Sequence, residues 1–96
     1  MNVDFTSVRN FNERAVFEAV AAGAPGYPGL NHDPDLLADV ACVALNRLQP
    51  RYIRYEVDFT FYLTDKERAE TERQVADSVE FAFGFVQARM AMRARA

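Results

Sequence analysis

The stretch YIRYEVDFTFYL, residues 52–63, alternates apolar and polar side chains. Tyr55, Val57, Phe59, Phe61 and Leu63 fall on one side, and Glu56, Asp58, Thr60 and Tyr62 on the other. A period of two in β-branched and aromatic residues predicts a strand over about 53–62. A strand cannot stand alone, because its backbone N–H and C=O groups need partners. The rest of the chain offers no second convincing strand. The economical partner is the same strand of another copy, paired across a two-fold axis. A homodimer is therefore expected, with the aromatic face of the strand serving as interface and core together.

The remainder reads as helix and loop. Asn10-Phe-Asn-Glu13 has the form of an N-cap with an answering Glu. Val16, Phe17 and Val20 follow on one face, which predicts a helix over about 11–22, stopped by Gly23. AGAPGYPGLNHD, residues 22–33, holds three glycines and two prolines and predicts a loop. Asp33-Pro34 opens a second helix to about residue 48, since Asp caps and Pro fits the first turn. Leu36, Leu37, Val40, Val43, Ala44 and Leu48 give that helix a wide apolar face, with Asp39 off its centre. Pro50 forces the chain out.

Thr64-Asp-Lys-Glu67 is a capping box that begins a third helix, about 65–92. Ala69, Ala76, Val79, Phe83, Val86 and Met90 supply its apolar repeat. Asp65, Glu67, Glu70 and Glu72 crowd its start and Arg89, Arg93 and Arg95 its end, as the helix dipole favours. Gly84, inside it, suggests close approach of a neighbour. The expected fold class is mainly α (α+β), with three helices and one strand per subunit. The domain plan is an N-terminal arm (1–9), a single domain (10–92) and a basic tail (93–96).

The net charge of -3 argues against direct DNA binding. Cys42 is the sole cysteine, which excludes an internal disulfide, and its apolar setting predicts a buried, inert thiol. No segment is apolar enough to span a membrane, and the N-terminus lacks the pattern of a signal peptide. A cytoplasmic location is the default. His32 is the only histidine and has no evident partner for general-base work, so no catalytic residues, metal or cofactor are expected.

The strongest chemical signal is ALNRLQPRYIRYE, residues 44–56. Arg47, Arg51 and Arg54 fall within eight positions, interleaved with Tyr52 and Tyr55. Guanidinium groups fork onto phosphates, and flat rings stack on bases. A cyclic dinucleotide, itself two-fold, would match a two-fold dimer. The other reading is structural: the arginines pair with Glu56, Asp58 or the acidic helix.

DVACVALNRLQPRYI, residues 39–53, resembles the signature of the ComFB family of late competence development proteins. The likeness lies in Asp-Val, a small apolar helix, Ala-Leu-Asn-x-Leu, and a proline-tyrosine exit, and it extends over about residues 9–88. Asp39, Asn46, Pro50, Arg51 and Tyr52 match the motif. Gln49 stands where a second proline is usual, and the loop between the first two helices lacks the cysteine cluster, suited to zinc, of some members. The resemblance implies a small, helical, dimeric, cytoplasmic bacterial regulator without enzymatic activity. It also implies a cyclic di-GMP or cyclic di-AMP receptor linked to competence, type IV pili or motility. The expected ligand-binding residues are Asn46, Arg47, Arg51, Tyr52, Arg54 and Tyr55. The alternative is a dimeric adaptor that binds an unknown protein and no nucleotide, through the long helix, Met90 and Met92, or the aromatics of the strand.

Overall fold

A computed structural model describes residues 1–57 and 63–95 of the chain. The order of elements is β1 (Arg9–Asn10), α1 (Asn12–Gly23), a 3-10 turn (Ala24–Gly26), α2 (Pro34–Asn46), β2 (Tyr52–Ile53) and α3 (Asp65–Arg95). The three helices form where periodicity places them. Asp33 caps α2 as expected: its Oδ1 accepts from the Asp35 and Leu36 N–H groups, both at 3.1 Å. Thr64 Oγ1 likewise accepts from the Glu67 N–H at 3.1 Å at the start of α3.

The strand is a correction. Among the described residues of this stretch only Tyr52 and Ile53 form a strand, and Glu56 and Val57 have helical backbone. The rest of the expected strand, 58–62, lies outside the described residues. The partner of β2 is not a second copy but the chain's own arm. Arg9 pairs with Ile53 and Asn10 with Tyr52, antiparallel. The sheet is therefore intramolecular and two-stranded, and pairing across a dimer axis is overturned. A two-residue bridge carries no periodicity, so the arm gives no strand signal. On the apolar side of the alternation beyond residue 53, Tyr55 and Val57 are exposed and Leu63 is half-buried.

The core is where the helices meet. Val16 and Val20 of α1, Val40, Ala41 and Ala44 of α2, and Val75, Val79, Phe83 and Val86 of α3 are buried together. Burying each large side chain stabilises the fold by roughly 1.5–3 kcal/mol. Small residues at 41, 44 and 82 leave little side-chain bulk between the helices.

The Gly/Pro segment is more ordered than a plain loop. Leu30 is fully buried, and the Tyr27 ring stacks on Phe83 with centroids 4.3 Å apart. Gly23 does not end α1 by a left-handed turn. Its φ is -83°, and the chain passes directly into the 3-10 turn. What Gly23 supplies is room: a Cβ there would lie 3.0 Å from Phe83 Cε2. Gly84 meets no such neighbour among the described residues: outside its own helix backbone, none of them lies within 4 Å of where its Cβ would be.

Candidate functional site

A concavity lies between α1 and α2. It is an open groove of about 820 Å³ with Phe17, Val20, Leu37, Ala41 and Leu45 among its lining residues. Asn10, Glu13, Asn46 and Tyr52 add polar groups to that apolar lining. A volume of this size, apolar with a few polar groups, suits a small molecule or a partner's side chains. Cys42 also lines it, exposed rather than buried as the sequence suggested. The apolar face of α2 is wider than the core can cover, and its surplus turns to the groove. Phe17 has the same fate, half exposed beside two buried valines of α1.

A pair of asparagines shapes one end. Asn12 is buried, and its Nδ2 donates to the Gln49 carbonyl at 2.9 Å. Asn10 Oδ1 accepts from the N–H groups of Asn12 at 3.2 Å and Arg51 at 3.0 Å. The Phe11 N–H donates to the Arg51 carbonyl at 2.6 Å. The exit after Pro50 is thus tied to the start of α1 from both sides, which sets Tyr52 at the groove. Sequence reasoning read Asn10 as a simple cap and passed over Asn12. An amide on the apolar side of a helix, close to Val16, was the available signal.

The arginine cluster is dispersed among different partners. Arg47 ends α2, and its guanidinium carbon sits 3.7 Å above the Phe81 ring of α3. Arg54 turns to its neighbour, with Nη2 3.2 Å from the Tyr55 hydroxyl. Arg51 joins the Asn10 bridge through its backbone. Asn46 Nδ2 donates to the Cys42 carbonyl at 3.0 Å, one turn back in α2. Of the six expected site residues, Asn46 and Tyr52 line the groove. Tyr52 is 70% exposed there.

Three ion pairs flank these elements. Arg14 of α1 bridges Glu18 at 3.1 Å and Glu56 at 3.0 Å. The hydrogen bond that Arg14 donates to Glu18, with the charge of Glu56, raises the guanidinium pKa above its ordinary value. Asp39 of α2 meets Arg89 of α3 at 3.4 Å. Among the described residues, no group of three His, Cys, Asp or Glu side chains is placed to hold a metal ion. No helix among them is long and apolar enough to cross a membrane.

A small helical domain with an open, largely apolar groove has a form suited to binding. The comparison with known families makes this specific. The chain belongs to the family described as Late competence development protein ComFB, whose profile matches residues 9–90. This is a non-catalytic regulatory family of bacteria, and the protein is a non-enzymatic member of it. No curated protein and no solved structure matches the chain.

Proposed function

We propose that the protein is a cytoplasmic receptor for a cyclic dinucleotide, cyclic di-GMP or cyclic di-AMP, acting on competence, type IV pili or motility. The observation that carries this reading is the exposed Tyr52 at the groove, held between Pro50-Arg51 and Arg54 by the Asn10 and Asn12 bonds. Tyr52 and Tyr55 offer exposed rings for stacking a purine. Arg51 and Arg54 supply guanidinium forks for phosphate. Asn46 at the groove wall presents an amide to a base edge. Arg47, seated on Phe81, has the smaller part.

The test is calorimetric titration of the purified protein with each dinucleotide, and of the double variant Arg51→Ala/Arg54→Ala. Saturable binding that the double variant loses, with its fold kept, supports the reading. Flat titrations with both ligands overturn it.

The second reading is an adaptor that binds another protein. The apolar lining of the α1–α2 groove favours it, because such a surface also accepts side chains from a partner.

A further inference from the structure

Glu13 is a charge in an apolar place. It is the sole charged side chain among the described residues that line the α1–α2 groove, and it is half-buried there. Among the described residues its carboxylate has no hydrogen-bond or ion-pair partner, so it does not answer the cap as the Asn10–Glu13 pattern predicts. Arg14, the next residue, is committed to Glu18 and Glu56. A carboxylate partly withdrawn from water and left unpaired is unfavourable. A cation brought to it is held more strongly than at an open surface.

The rest of the lining suits apolar side chains. Phe17 and Val20 of α1 share it with Leu37, Ala38 and Leu45 of α2. Arg51 and Arg54 are not among the lining residues. The dinucleotide reading therefore concerns the rim at Tyr52, and the apolar length of the groove is left to another ligand.

Shape sets the form of that ligand. The lining runs from Glu13 to Ala21 on α1 and from Leu37 to Asn46 on α2, about 12–14 Å along each axis. That is more than two turns of a helix. The furrow between two packed helices accepts a third by ridges into grooves. An extended segment would lay its backbone N–H and C=O groups against the apolar lining, where they need partners. A helix satisfies most of them internally. Glu13 sits at the end of the groove where Asn12 is bonded to the Gln49 carbonyl. We infer that the groove receives an amphipathic helix of a partner protein. Its apolar residues recur at i, i+4 and i+7, and its stripe ends in a lysine or arginine that pairs with Glu13. The inference rests on the adaptor reading and gives the partner's chemistry.

The experiment selects a phage-displayed library of helical peptides, about four turns long, on the purified full chain. The enriched peptides are expected to share the apolar spacing, with a lysine or arginine at one end of the stripe. An enriched peptide is then titrated by fluorescence anisotropy. Phe17→Ala is expected to weaken its binding about fivefold or more. Glu13→Gln is expected to weaken it roughly three- to tenfold. Ala38→Gln places a polar chain in the groove at an exposed helix position and should also weaken it. Circular dichroism checks that each variant keeps its fold. Selection on Glu13→Lys should replace the enriched base by an acid. Enriched apolar peptides without a base, or a base preference that Glu13→Lys leaves unchanged, overturn the inference and leave the adaptor reading standing. Binding that both Phe17→Ala and Ala38→Gln leave intact lies elsewhere and overturns it too. No enrichment overturns both readings, and a molar mass halved by Phe17→Ala then assigns the groove to a second copy.

Discussion

Asn12 and Gln49 lie 37 positions apart, and the buried Asn12 amide donates to the Gln49 carbonyl at 2.9 Å. This bond joins the first turn of α1 to the exit from α2. It is the internal brace behind the end of the groove where Tyr52 stands.

Asn12→Ala leaves a carbonyl without its partner and removes a buried amide. The expected cost is about 1–3 kcal/mol of stability. Urea unfolding should show a lower midpoint with an unchanged slope, because the surface exposed on unfolding is nearly the same. An unchanged midpoint would mean that water replaces the amide without loss.

Gly23 and Phe83 make the second case. The Cβ introduced by Gly23→Ala would meet Phe83 Cε2 at 3.0 Å. The ring has little freedom to retreat: it is 1% exposed and stacked on Tyr27. Overpacking of this kind costs about 1–3 kcal/mol, more than the helix propensity of alanine returns. Gly23→Ala should lower the thermal midpoint and disturb the near-ultraviolet signal of the aromatic pair. A raised midpoint would show that the ring yields.

The third prediction concerns pH. The Glu70 carboxylate accepts a hydrogen bond from Arg73 at 2.6 Å, and this bond, with the guanidinium charge, holds its pKa below the ordinary 4.5. A lowered carboxyl pKa stabilises the folded state above the unfolded value, and that contribution fades as pH falls through the folded value. A carboxyl-detected NMR titration should place the Glu70 midpoint below those of unpaired glutamates. Arg73→Ala should return it toward 4.5. No shift on that substitution would remove Arg73 as the cause.

Helix positions were legible because their signals are local. Asp33-Pro34 and Thr64–Glu67 are contiguous caps, and the residues that they start keep a regular apolar period. The family was legible for the same reason, in the unbroken run from Asp39 to Ile53. The strand misled because alternation states only what a segment could do. Which backbone it pairs with is decided elsewhere, here by Arg9–Asn10 of the same chain.

By itself, then, the sequence determined three helices, the proline exit after α2 and membership of the ComFB family. Tertiary structure alone decided the partner of Tyr52–Ile53, the separation of Arg47 from its neighbours onto Phe81, and the exposure of Cys42 and Phe17. The physical reason is range. Caps and periodicity act over a few residues, whereas pairing, ring contact and burial depend on which distant surfaces meet, as Asn10 meets Arg51 and Gly23 meets Phe83.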